Sequence, residues 1–284
     1  MTESLQNKVL RIRDLPTIPI VITKIIGVVQ DEKSDAKDLV KIIENDLSLT
    51  SKILRIANSA YYGQRGQVSS IIKATVLLGF ELVKNLSITI SVINAFNDNI
   101  ENCYFNLKKF WTHSIGVGVA SQLIAKECEK KEMEMLFTLG IIHDLGKLIF
   151  ISLSPEEYKK ALDLVQEEGI SIRQAEEKIF GIDHTIVGSW VSRKWNLPEI
   201  FTNIIKNHHK PIQNTNNATE NAILYLANSL CKDLKIGHSG DYVPASLSPS
   251  LLNMIHINTE QLTLISLTLE KEKDNIHELI GAII

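Results

Sequence analysis

The run Leu139–Phe150 sets His143, Asp144 and Lys147 inside an otherwise apolar stretch, and no other feature of this chain restricts its fold so tightly. Removing an unpartnered polar group from water costs roughly 2–7 kcal/mol and an unpartnered charge more, so the run can be buried only where the fold brings partners to it. Read as one helix starting near Lys131, it places Gly140, His143, Asp144 and Lys147 at i, i+3, i+4 and i+7. The polar groups then share one face with a residue too small to obstruct them. Their partners must come from elsewhere in the chain.

Elsewhere the chain reads as helices in short steps. Two prolines in Leu15-Pro16-Thr17-Ile18-Pro19 force an extended start before an apolar helix reaching about Val29. Ser34 can cap a helix with Leu39, Ile42 and Ile43 on one stripe, and Asp46 can cap the next. Ser69 or Ser70 opens a short helix ended by Gly79, and Phe80 to Phe96 forms a longer one. Further on, helices are expected from Tyr104 to Glu129, from Ser154-Pro155 to Gly169, and from Ile170 to Phe180-Gly181. Asp183 caps one that stops at Asn196, and Leu197-Pro198-Glu199 opens one that ends in His208-His209. A helix over Glu220 to Leu234 and two in the tail, Ser248 to Ile255 and Thr259 to Ile284, complete the reading. No run alternates with period two between hairpin turns, so the fold class expected is all-α and multi-helical. The polar stretch Asn97–Asn102 divides it into an N-terminal helical bundle (1–98), a histidine-bearing helical subdomain (99–238) and a C-terminal helical extension (239–284).

Composition excludes several classes. With 44% apolar and 22% charged residues the chain can bury a core, so wholesale disorder is out. A net charge of -3 with both signs intermixed argues against a general nucleic-acid binder. No apolar stretch of about 18 residues runs without a polar interruption, so no membrane span is expected. Met1 to Asp14 lacks the apolar centre of a signal peptide, which makes the cytoplasm the expected location. Cys103, Cys128 and Cys231 are widely separated and read as reduced thiols.

The chemistry lies with the histidines. His113, His143, His184, His208 and His209 sit in or beside apolar helices, and His238 in a loop. With Asp144 the first five offer nitrogen and oxygen ligands suited to iron, zinc or manganese. Ligands from different helices converge readily in a bundle core, so their scatter along the chain is no objection. A single helix histidine is more often an ordinary core or surface residue; the adjacent His143-Asp144 and His208-His209 pairs are what favour a cluster. Lys147 reads either as a side chain snorkelling to the surface or as a cation placed to hold phosphate. Tyr61-Tyr62 reads as a helix contact, and Trp111, Trp190 and Trp195 as core.

The order His113, His143-Asp144 in Ile-Ile-His-Asp-Leu-Gly-Lys, His184, then His208-His209 resembles the HD superfamily of metal-dependent phosphohydrolases and its HD-GYP branch. A fuller resemblance, from Leu15 to about Leu234, is to the HDOD family, the HD-related output domain of bacterial signalling proteins. Leu15–Pro19, Ile43–Thr50, Lys52–Tyr62, Phe180–His184 and Trp195–Glu199 carry it in order. It implies an HD-like helical subdomain over 99–238 and a metal set drawn from His113, His143, Asp144, His184, His208 and His209. Two departures bear on activity. Asn228 stands where catalytic relatives carry a late aspartate, and Lys109 where the HD-GYP branch has a glutamate one turn before its first histidine. The Gly-Tyr-Pro signature is replaced by Lys210-Pro211-Ile212-Gln213.

An amide is a weaker ligand than a carboxylate and brings no charge, so one transition-metal ion or none is expected in place of a working pair. The resemblance then implies a regulatory module that binds a signalling protein partner or a small ligand without hydrolysis. No receiver, kinase or cyclase segment is attached, so signalling is expected to pass through contact. The alternative is a metal-dependent phosphohydrolase acting on a nucleotide or cyclic nucleotide, with Asp144 and Lys147 as its catalytic candidates. A scaffold whose histidines fill a polar core network is the blandest reading.

Overall fold

The computed structural model describes residues 20–30, 35–62, 67–97, 104–210, 217–240 and 247–284. Leu15–Pro19, Cys103 and positions 98–102 of the expected boundary lie outside them. Every regular element among the described residues is helical. Five helices come first: α1 (Ile20–Gln30), α2 (Ala36–Glu44), α3 (Leu47–Ala57), α4 (Ile71–Leu78) and α5 (Phe80–Asn97). They are followed by α6 (Leu107–Glu127), α7 (Met133–Ile142), α8 (Leu145–Leu153), α9 (Pro155–Glu168), α10 (Ile172–Phe180), α11 (His184–Lys194), α12 (Glu199–Asn207) and α13 (Ala218–Asp233). The tail holds α14 (Pro249–Met254), α15 (Thr259–Lys271) and α16 (Lys273–Ile283).

Side-chain caps set many of these boundaries. Asp46 accepts from Leu49 N, Ser70 from Lys73 N, and Asp183 from the Thr185 and Ile186 amides. Gly169 and Gly181 close α9 and α10 in the left-handed conformation that costs glycine nothing. The cap of α2 is Asp35, one residue beyond the expected Ser34, because Asp35 forms a reciprocal capping box with Asp38. The single helix expected over Thr259 to Ile284 is two, parted at Glu272.

Helix α6 is the axis of the molecule, buried at every position from Phe110 to Ala120. Helices α7, α13, α15 and α16 pack on it, and α5 packs on α7. Gly140 lets α7 touch α6: a Cβ there would lie 2.5 Å from the Gly118 backbone. Its small size thus serves a helix crossing and does not clear space beside His143. Trp111 and Trp195 are buried as expected, whereas Trp190 is half-buried against the core.

The tail closes the structure. Helix α16 packs on α3 as well as α6, with Glu278 accepting from Ala60 N at 3.0 Å and Arg55 donating to Gly281 O. The span Met133–Leu153 has the length and apolarity of a membrane-crossing helix, yet 89% of that window is buried inside the fold. It is the core of the bundle. The reading of Leu139–Phe150 as one continuous helix is corrected here, since the helix breaks at His143-Asp144 into α7 and α8.

Candidate metal centre

The break at His143-Asp144 sets both side chains at a helix junction, from which α8 starts with Lys147 N donating to Asp144 O at 2.9 Å. Gly146 brings α11 to this junction. A Cβ on Gly146 would stand 1.9 Å from His184 O, so no other residue fits while the two helices keep this distance. His184 opens α11 behind its Asp183 cap, which Arg173 holds by an ion pair of 2.7 Å. His208 is the C-cap of α12 with His209 after it, and His113 lies mid-way along α6. All six expected ligand residues meet around Asp144.

They meet in two groups that share this carboxylate. On one side Asp144 Oδ1 lies 3.2 Å from His184 Nε2 and 3.5 Å from His208 Nε2. His184 Nε2 is 3.4 Å from His208 Nε2 and 3.0 Å from His209 Nε2. A tetrahedral ion with bonds of about 2.0–2.1 Å would separate its donor atoms by roughly 3.3–3.4 Å. The spacing of this group is that of a ligand shell.

On the other side Asp144 Oδ2 lies 3.3 Å from His143 Nε2, with His113 completing the group. Here two further groups intervene. Lys147 Nζ donates to Asp144 Oδ2 at 2.7 Å and to the Ser239 carbonyl at 3.1 Å. Asn228 meets His113 Nε2 at 3.0 Å while His113 Nδ1 faces Ile236 O at 3.3 Å. Burial, seconded by His143, drives the His113 pKa down to about 3, so its imidazole is neutral and carries one N–H. Turning the Asn228 amide so that its NH2 donates to Nε2 leaves Nδ1–H for Ile236 O and satisfies both contacts.

Hydrogen bonds at the far nitrogens aim the rings inward. His143 Nδ1 donates to Gly140 O and His208 Nδ1 to Ile205 O, each at 2.7 Å, leaving Nε2 to face the centre. His184 Nδ1 meets Glu176 Oε2 at 2.6 Å, the carboxylate–histidine pairing that orients metal ligands. Burial lowers the His208 pKa to about 4 and takes that of His209 well below its usual value. Burial acts the same way on His184, but the Glu176 charge overcomes it and raises the pKa to about 9. Asp144 is pushed up by burial and pulled down more strongly by His143 and Lys147, to well below the carboxylate range. Asp144 Oδ1 and His143 Nε2, both fully buried, have no hydrogen-bond partner. Such orphaned atoms are costly in a protein interior, and a cation among Asp144, His184, His208 and His209 relieves the carboxylate oxygen. The residues therefore fit a transition-metal ion.

Lys147 is 1% exposed, so its reading as a snorkelling surface side chain is corrected: the buried Asp144 and the Ser239 carbonyl give it partners inside. Lys109, one turn before His113, is exposed. Glu176 was not among the expected residues. Its signal was a charge on the buried stripe Ile172, Ala175, Glu176 at i, i+3 and i+4.

Comparison with known proteins places this architecture. The HDOD domain pattern matches residues 15–211. A crystallised HDOD domain protein of unknown function from Geobacter sulfurreducens superposes with a TM-score of 0.83 at 24% identity, covering 98% of this chain and 96% of that one. A Marinobacter aquaeolei protein named as a candidate signal transduction protein gives 0.81 at 20% identity, over all of this chain and 62% of its own. A Shewanella amazonensis protein named as a candidate phosphohydrolase gives 0.77 at 23% identity, over 99% and 98%. An uncharacterised protein of Treponema pallidum is 24% identical over 253 residues, and the chain spans about half of its length (48%).

Proposed function

Because the chain belongs to the HDOD family and one half of its buried centre is already filled by its own side chains, we propose that it is a regulatory module of bacterial signalling that works by binding and not by hydrolysis. It acts in the cytoplasm on a protein partner or small ligand. The observation that carries this reading is Lys147 Nζ on Asp144 Oδ2, with Asn228 against His113. A second metal would have to compete with an ammonium for that oxygen and with an amide for that ring.

The other half holds one ion, iron, zinc or manganese, through Asp144, His184, His208 and His209. Such an ion supplies a positive charge that ties α8, α11 and α12 together. Three of its four ligands, Asp144, His184 and His208, are at 0% exposure and His209 is half-buried, which keeps a bulky substrate away from the ion.

A second reading, a metal-dependent phosphohydrolase, is favoured by one observation: both ligand groups converge on the same carboxylate, as a paired metal site would require. Hydrolysis of bis(p-nitrophenyl) phosphate and of a cyclic dinucleotide by protein loaded with each metal tests the choice. The expected result is no turnover above metal-free protein. Turnover abolished by Asp144→Asn would establish the hydrolase.

A further inference from the structure

Beside the metal centre, on the far side of His113, lies an open cleft of about 1040 Å³. Lysines from four parts of the chain line it: Lys109 on α6, Lys159 on α9, Lys232 and Lys235 at the end of α13, and Lys273 at the start of α16. Its lining contains one carboxylate, Asp163, which is already paired to Lys159 at 2.7 Å. Lysines scattered over a convex face are ordinary solvated charge. Five of them converge on one concavity; Lys159 is paired to Asp163 and Lys273 to Glu270 at 2.8 Å, and the basic surplus that remains concentrates a positive potential there. This separates the cleft from the rest of a chain whose net charge is -3.

We infer that this cleft binds a small anion carrying two or more phosphates. The charge surplus suits a ligand with several negative charges held close together, and the volume suits a molecule of nucleotide size. At the rim Tyr104, 49% exposed, offers an aromatic face with Lys159 5.5 Å from its centroid, so a base attached to the phosphates has a surface on which to stack. Lys232, Lys235 and Lys273 lie beyond residue 211, where the family pattern ends, so three of the five lysines come from this chain's C-terminal part.

Two connections make the cleft more than a store of charge. Its wall is the turn 235–240, which also closes the metal centre: Ile236 O faces His113, and Ser239 O and Oγ accept from Lys147 at 3.1 and 3.3 Å. That turn is locked to α6 by His238 N donating to Lys109 O at 2.9 Å and by Gly237, whose φ of +63° and contact with the His113 backbone admit no side chain. The opposite wall is α16, which reaches the N-terminal helices through Glu278 and Gly281. An anion bridging Lys235 and Lys273 draws α16 onto α6 and steadies the tail against α3. The inference rests on the reading of the chain as a ligand-binding module and requires no metal.

Calorimetric titration of the full chain with orthophosphate, tripolyphosphate and ATP tests it. Tripolyphosphate is expected to bind saturably, with affinity falling as salt rises, and orthophosphate far more weakly. ATP tighter than tripolyphosphate identifies a nucleotide as the ligand; equal affinities identify the phosphate chain alone. Lys235→Glu, at an exposed position, and Lys273→Gln, at a half-buried one paired to Glu270, should each weaken binding roughly tenfold or more, the size of one charge-assisted hydrogen bond. Hydrogen exchange of α16 should slow on binding. No saturable binding by tripolyphosphate or ATP, or binding that neither variant weakens, overturns the inference. Hydrolysis of the bound ATP would overturn the non-hydrolytic reading above while leaving the cleft intact, and unchanged metal content in both variants keeps the two sites distinct.

Discussion

The two oxygens of Asp144 look onto different chemistry, although both are buried in one helix junction. Oδ1 faces His184 and His208, with His209 beyond, at the separations of a ligand shell and without a hydrogen-bond partner. Oδ2 faces His143 but is held by Lys147, while Asn228 occupies the ring that would complete that side. Histidines thus stand on both sides of the carboxylate, and an ammonium and an amide on the Oδ2 side alone. A fixed ammonium and an amide replace the charge and the ligand that a second ion would need.

Removing the shared carboxylate breaks both sides at once. Asp144→Ala leaves Lys147 as an uncompensated buried charge, and truncating one partner of a buried pair costs about 3–5 kcal/mol. Urea unfolding should show that loss together with complete loss of metal. A stable, metal-binding variant would mean that the histidines alone make the site.

Acid attacks the metal-free Oδ1 side next. His208, with a folded pKa of about 4 against about 6.5 unfolded, contributes stability that is present above pH 6.5 and lost as pH falls toward 4. His113 follows the same course down to about 3. His184 has the opposite sign: with a folded pKa of about 9 its contribution is complete below pH 6.5 and is lost as pH rises to about 9. Urea midpoints measured against pH should therefore fall on both sides of neutrality, with the steeper limb on the acid side.

Lys147→Met sharpens the comparison. Stripped of its ammonium, the buried carboxylate costs about 2–3 kcal/mol in the metal-free protein. Combined with Asn228→Asp it gives the Oδ2 side a free oxygen and a new carboxylate, and metal content should rise from one equivalent to two. The smallest effect is that of Glu176→Gln. It keeps the shape beside His184 but removes the charge, so metal affinity should weaken roughly 10–100-fold in a competitive chelator titration. The same variant should flatten the alkaline limb of the pH profile.

What the sequence revealed and what it concealed divide along physical lines. Caps such as Asp46, Ser70 and Asp183, and the glycine stops at 169 and 181, were legible because each acts within a turn of its own helix. The break at His143-Asp144 was not, since the run contains no proline, and the helix that packs against it at Gly146, α11, lies some forty residues away in the chain. Proximity of this kind also decided Lys147. A lysine one turn beyond an aspartate is compatible with solvent or burial, and only Ser239 and the helices around it force burial. Glu176 carried a local signal, an acid on an apolar stripe, but the histidine that explains it lies across a turn. The histidines and the aspartate that converge in the centre were all readable, because a histidine or aspartate inside an apolar helix needs a partner wherever the fold puts it.

The most direct test of the account is the metal content of the purified full chain expressed with excess iron, zinc and manganese. The structure predicts one equivalent per chain, lost on His184→Ala or His208→Ala and retained on His113→Ala. Two equivalents in the unaltered protein, or one that depends on His113, would contradict the assignment of the Oδ2 side to Lys147 and Asn228.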